Sequence, residues 1–144
     1  MRVFLLRLFG AKIGRGVVVR PGLRVKFPWR LQVGDHCWLG EDVWIDNLAQ
    51  ITLNAHCCLS QGAYLCSGSH NWSSTSFDLI VAPITLAEGA WVGAFCRLAP
   101  GSIMEEGAVL TLASMGHGVM DAWSVYQGVP ACKIRQRSTQ VRGD

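Results

Sequence analysis

The sequence predicts an all-β domain, a parallel β-helix wound from six-residue units, and three observations carry that prediction. Residues 53–70 divide into LNAHCC, LSQGAY and LCSGSH, each with an aliphatic residue first and a small one fifth (Cys57, Ala63, Ser69). The rhythm continues on both sides. Sixes begin at Ile13, Val19, Val25, Val33, Leu39, Ile45, Leu53, Leu59, Leu65, Leu86, Val92, Leu98, Met104 and Leu110, and 12 of these 14 have Ala, Ser, Cys or Val fifth. Seven of the 14 fourth positions are Gly (16, 22, 62, 68, 89, 101 and 107), and three more are His36, Asp42 and His56. These residue types tolerate a positive φ better than most, so the fourth place reads as a corner.

Each element follows in order. Residues 1–12 begin MRVFLLRLFG, an apolar stretch interrupted by Arg7 with no small-residue cleavage site behind it. It is too short for a signal peptide or a membrane span. A short amphipathic helix on the end of the domain is the first reading, and contact with a membrane surface is the second. Residues 13–115 form the β-helix. Three sixes make one triangular coil, whose large first and small fifth residues point inward because a narrow triangle cannot hold two bulky layers. Coils stack by parallel hydrogen bonding around a shared core. Between Leu65 and Leu86 the rhythm is interrupted by NWSSTSFDLIVAP, residues 71–83, which is expected to project as a loop from the coil that ends in His70. After Met115 the rhythm dissolves, and residues 116–144 read as a C-terminal cap with a basic tail containing Lys133, Arg135, Arg137 and Arg142.

Sixth positions point outward and include Trp38, Trp44, Tyr64, Trp91, Ile103 and His70. Large aromatics on the outside of a solenoid call for cover, and a neighbouring subunit would supply it.

The bulk numbers close off other classes. The 144 residues suit one domain; 50% are hydrophobic and 16% charged, which excludes a disordered chain. A net charge of +3 is too mild for a nucleic-acid partner. Of six cysteines, Cys37, Cys57 and Cys96 fall at fifth positions. They read as small core residues of a reducing compartment, the cytoplasm, rather than as a disulfide framework. No CxxC pair is present, and the two stacked corner histidines, His36 and His56, have no third partner at a metal-binding spacing. No metal is expected.

Four segments carry a family resemblance: WIDNLAQITL, LSQGAYLCSGSHNW, APITLAEGAWVGAFCRLAPGSI and GVPACKI. Over about residues 10–137 the chain resembles the hexapeptide-repeat acyltransferases, and within them the sugar O-acetyltransferases of the colanic-acid and exopolysaccharide biosynthesis branch. The resemblance implies a left-handed β-helix, a homotrimer and acetyl-CoA as co-substrate. It implies acetyl transfer to a saccharide hydroxyl, with His70 as the general base that takes the hydroxyl proton. Asp46, or the adjacent Asn47, would bind the acceptor; Asp78 would orient His70 or touch substrate; Trp91 would line the cleft. Gly93, Ala94 and Leu112 would meet the pantetheine arm, one amide there holding an oxyanion. Relatives carry a Thr-Lys pair near the CoA phosphates where this chain has His117-Gly118, so phosphate contact passes to Lys133, Arg135 or Arg137. An amine or a non-sugar alcohol is the alternative acceptor, and a non-catalytic assembly module is the alternative of another class.

Overall fold

The computed structural model describes residues 1–138. Its strands are two or three residues long except at the C-terminus, and they stack into three parallel ladders that form the faces of a β-helix of about six turns. The first face runs Lys12–Ile13, Leu31–Val33, Ile51–Leu53, Ile84–Leu86, Ile103–Met104 and Val119–Met120. The second runs Val18–Val19, Trp38–Leu39, Cys58–Leu59, Trp91–Val92, Val109–Leu110 and Ser124–Gly128. The third runs Arg24–Val25, Trp44–Asp46, Tyr64–Cys66, Arg97–Leu98 and Met115–Gly116.

The register explains the rhythm. Val33 pairs with Leu53 and Leu53 with Leu86, so first-position aliphatics lie directly above one another in a closed column. From Leu31 to Leu110 these side chains are essentially sealed from water, as are Cys37, Cys57, Ala63, Ala90, Cys96 and Ala108 at the fifth places. The thiols of Cys37, Cys57 and Cys96 reach the carbonyls of Asn54, Ala87 and Thr111 in the next coil, at 3.0, 3.1 and 2.8 Å. The Cys37 thiol beside it, together with burial, pushes the Cys57 thiol far above the ordinary range; burial also raises Cys96. The six cysteines are free. Corners take the expected left-handed backbone at His36, Asp42, His56 and six of the seven glycines, and also at Phe95 and Ala113. The His36 and His56 rings stack with centroids 5.3 Å apart. Among the described residues no three His, Cys, Asp or Glu side chains gather to hold a metal ion.

Two corners keep six-residue spacing in every coil, as in Leu53, Leu59, Leu65 and again Met104, Leu110, Gly116. The third corner, from the third face back to the first, does not. Gly116 reaches Met120 in four residues, Leu98 reaches Met104 in six, Ile45 reaches Leu53 in eight, and Leu65 reaches Leu86 in twenty-one. This corner accounts for three departures from the sequence reading. Gly68 and Ser69 do not complete a six: Ser67 is the buried small residue, and Gly68–His70 turns outward to pair antiparallel with Leu79–Val81. The insertion is therefore a hairpin that begins before residue 71. Beyond Met115 the stacking continues for two more faces through a shortened corner, and only then does Ala131–Gln136 fold back antiparallel on Ser124–Gly128. Arg142 lies outside the described residues.

Asn47 also sits at this corner, in the coil below the hairpin. It is fully buried; its Oδ1 accepts from the Phe27 amide at 2.9 Å and its Nδ2 donates to the carbonyls of Phe27 and Arg30 at 2.7 and 3.0 Å. Its amide is spent on the Pro28–Arg30 turn of the first coil, so the acceptor-binding reading of Asn47 gives way to a structural one. The Arg2–Leu8 helix closes the N-terminal end, with Val3 and Leu6 against the core.

Two measurements check this packing. Asn47→Ala removes three hydrogen bonds to the Phe27 and Arg30 backbone and should cost about 3 kcal/mol of unfolding free energy in a urea titration. Protein unfolded without reductant should titrate as six free thiols; stable pairs would contradict the core role of the cysteines.

Candidate active site

His70 closes the outer end of the Gly68–His70 strand, and across the hairpin its ring lies flat on Phe77, centroids 4.4 Å apart and planes 4° from parallel. Phe77 adopts a left-handed φ of 50°, a turn conformation that aims its carbonyl back at the imidazole. His70 Nδ1 stands 2.9 Å from that carbonyl oxygen. A carbonyl only accepts, so Nδ1 carries a proton, and in the neutral ring the lone pair is on Nε2. His70 is exposed, which leaves that lone pair open to a reactant. Asp78 does not take the orienting role. Its carboxylate accepts from Ser76 Oγ at 2.8 Å, and its carbonyl accepts from the Asn71 amide, tightening the loop instead.

Asp46 is half-buried on the third face, its Oδ2 accepting from the Tyr64 hydroxyl at 3.1 Å and its Oδ1 lying 3.5 Å from the Lys26 ammonium. Oδ1 is screened from solvent and has no hydrogen bond. Burial, with Cys66 and Asp46 close by, pushes the Tyr64 phenol well up. Asp46 thus is a half-buried carboxylate between Tyr64 and Lys26, one coil below the hairpin.

A second feature lies at the corner between the second and third faces. Ser60, Gln61, Trp91, Gly93, Ala94 and Leu112 line an open groove of about 420 Å³. It brings together four residues singled out from the sequence: Trp91, Gly93, Ala94 and Leu112. Trp91 forms the wall, its indole N–H donating to Ser60 Oγ at 2.9 Å. Gly93 lies so close to the coil above that an added Cβ would stand 2.7 Å from the Leu110 carbonyl oxygen and 3.0 Å from the Leu112 nitrogen. The amides of Ala94 and Leu112 make no hydrogen bond within the described chain, while the Ala94 carbonyl accepts from Ala113. Their N–H groups are therefore available to a ligand lying along the groove.

Lys133 and Arg135 belong to the antiparallel strand that extends the second face, and Arg135 pairs with Val125, which pairs with Val109, which pairs with Trp91. Arg135 thus lies three strands from Trp91, roughly 14 Å at the usual strand spacing. Lys133 is engaged by Asp121 at 3.6 Å.

The groove and His70 are not one site within one chain. Neither His70 nor Phe77 lines the groove. The groove occupies the corner before the third face, and the hairpin leaves from the corner after it. The third face between them spans roughly 13 Å at about 3.3 Å per residue. Sequence reasoning missed Phe77, Ser60, Gln61 and Thr111. Phe77 lies in the aperiodic insertion, where no register assigns it a direction; the other three are corner residues adjoining positions the register did number.

No family model matches the chain. It is 43% identical over 136 residues, covering 94% of this chain and 75% of the other, to the Escherichia coli (strain K12) protein named as colanic acid biosynthesis acetyltransferase WcaF. The Shigella flexneri protein of that name matches to the same extent. Solved structures share the fold at lower identity. The hexapeptide-repeat containing acetyltransferase VCA0836 from Vibrio cholerae aligns with a TM-score of 0.89 and 21% identity over 95% of this chain and 80% of its own. A galactoside acetyltransferase in complex with coenzyme A aligns at 0.87 and 18%, over 95% and 70%.

The hydrogen bond to Phe77 makes a spectroscopic prediction. In ¹⁵N-histidine-labelled protein at pH 8, His70 should show the Nδ1–H tautomer, against the Nε2–H form that free imidazole side chains favour. Asp78→Asn should leave that spectrum unchanged.

Proposed function

The chain belongs to the family of the colanic acid biosynthesis acetyltransferase WcaF, among the hexapeptide-repeat acetyltransferases with their left-handed parallel β-helix, and from that membership we propose that it transfers an acetyl group from acetyl-CoA to a saccharide hydroxyl with His70 as general base. The observation that carries the base assignment is the Nδ1–H bond to the Phe77 carbonyl, which in the neutral ring leaves the lone pair on Nε2 of an exposed side chain. Nε2 takes the proton of the acceptor hydroxyl as its oxygen attacks the thioester carbon. In this reading the N–H of Ala94 holds the developing oxyanion, the coenzyme thiolate leaves, and the proton passes from imidazolium to that thiolate.

Support for the donor comes from relatives: the galactoside acetyltransferase structure holds coenzyme A, and a VCA0836 structure holds acetyl-CoA. In this chain the groove offers the matching chemistry. Free amides at Ala94 and Leu112 suit the amide-rich pantetheine arm, the Trp91 wall suits its apolar flank, and Arg135 lies far enough along the face to meet a phosphate. Asp46 is the acceptor-binding residue we favour, a half-buried carboxylate on the third face one coil below the hairpin. The acceptor class follows the name of the WcaF relative, a saccharide of exopolysaccharide biosynthesis.

Separation of base and groove within one chain supports a homotrimer in which His70 of one subunit works over the groove of its neighbour. Trp38, Trp44 and Trp91 are 45%, 38% and 45% exposed in the single chain, and the hairpin bears exposed Leu79, Ile80 and Val81. Apolar surface of this kind is what a lateral subunit contact would cover. Free thiols fit a cytoplasmic setting, and no described helix is long and apolar enough to cross a membrane.

His70→Ala removes no core contact. The variant should fold, keep the trimer mass of three 15.7 kDa chains in light scattering, and keep its KM for acetyl-CoA. Its kcat should fall by about 10²–10⁴. His70→Asn should be nearly as slow. A folded His70→Ala protein with wild-type turnover on a saccharide acceptor would refute the assignment.

A further inference from the structure

Charge along this chain is segregated. Eight of its thirteen Lys and Arg lie in residues 1–30 and none of its ten Asp and Glu do, so the first coil and the helix over it form a purely cationic end to the solenoid. All eight side chains are exposed. Arg15, Arg20 and Lys26 pair with Asp35, Glu41 and Asp46 of the next coil, and Arg7 donates to the carbonyls of Ile13 and Gly14. Arg2 and Lys12 form no ion pair within the described residues.

The same end is apolar at its tip. The helix turns only Val3 and Leu6 to the core, leaving Phe4, Leu8 and Phe9 exposed by 65%, 66% and 61%. Trp29, 59% exposed, adjoins them, because its Cβ lies against Gly10 just past the helix. Beside the helix a shallow cleft of about 350 Å³ lies between Met1, Leu5 and Val19, with Arg2 in its wall.

We propose that this N-terminal end docks on an anionic lipid bilayer, its aromatic and aliphatic side chains entering the headgroup boundary and its cations facing lipid phosphates. Apolar residues ringed by cations are the composition of an interfacial anchor, and tryptophan favours that depth. Charge complementarity selects this occupant. A second copy stacked end to end would oppose two cationic surfaces, whereas anionic lipid attracts them. Docking by the end leaves the faces free for subunit contacts and the proposed active site, so the inference stands apart from the proposed reaction. In a parallel trimer three such ends would share one plane and reinforce one another.

Sedimentation of the full chain with vesicles tests the proposal. Vesicles of phosphatidylcholine with about one-third phosphatidylglycerol should bind the protein, pure phosphatidylcholine vesicles should bind it far less, and raised salt should release it. Phe4→Ser/Leu8→Ser touches no core residue and should keep the thermal melt while lowering partition at least tenfold. Arg2→Glu/Lys12→Glu should lower it by roughly fivefold or more per cation, whereas Arg97→Glu, on the third face, should leave it unchanged. Absence of binding to anionic vesicles overturns the proposal, as does equal binding to neutral ones or equal loss with Arg97→Glu. Self-association without lipid that Phe4→Ser/Leu8→Ser abolishes would assign the surface to a second copy and overturn it too.

Discussion

Everything in this molecule depends on vertical registry of the inward column. Each coil buries one aliphatic and one small side chain per face, and each is closed only by its equivalents above and below, as Leu59 is by Leu39 and Val92. The constraint reaches into the backbone. Left-handed corners recur because a triangle of two- and three-residue strands must turn within three or four residues, and thiols substitute for alanine where a carbonyl of the next coil can take the S–H. Because closure is between coils, a change at one level is felt at its neighbours: a side chain at Gly93 would press on the Leu110–Leu112 backbone before it met any ligand.

The same constraint decides where chemistry can be placed. Two corners are held to six residues in every coil and offer only backbone amides and shallow grooves, which is what Ala94 and Leu112 provide. The third corner tolerates from four to twenty-one residues, and it is there that the chain leaves the solenoid to build the hairpin holding His70. Base and groove are therefore on opposite edges of one face. The proposed site, assembled from both, would need two chains, and the exposed tryptophans and the apolar hairpin are surface such a contact would cover.

Much of this was legible in the sequence because the period is exact where the core demands it. Leu53, Leu59 and Leu65 announce three faces, and outward Trp91 and stacked His36 and His56 follow from counting, whereas groove-lining Gly93 was marked by the family resemblance. Counting fails at the variable corner. Ser69 fits the small-residue pattern, yet Ser67 occupies the core position, because the strand from Gly68 has already turned outward. Asp46 and Asn47 are adjacent and chemically similar, and only burial tells the half-exposed carboxylate from the amide spent on the Phe27 and Arg30 backbone. Phe77 acts through its carbonyl, a group every residue has, so no side-chain motif could mark it; Asp78 was the more conspicuous neighbour. The coil after Met115 was hidden by a corner two residues shorter than the preceding one.

The claim at the centre of this account is that His70 of one chain serves the groove of the next, and subunit mixing tests it most directly. His70→Ala lacks the proposed base, and Ala94→Trp fills the groove from a partly exposed position; each alone should be inactive. Unfolded together in equal amounts and refolded, they should recover about a quarter of wild-type activity, because that fraction of interfaces pairs an intact His70 with an intact groove in a cyclic trimer. Refolded, properly assembled mixtures with no more activity than either parent would contradict a shared site.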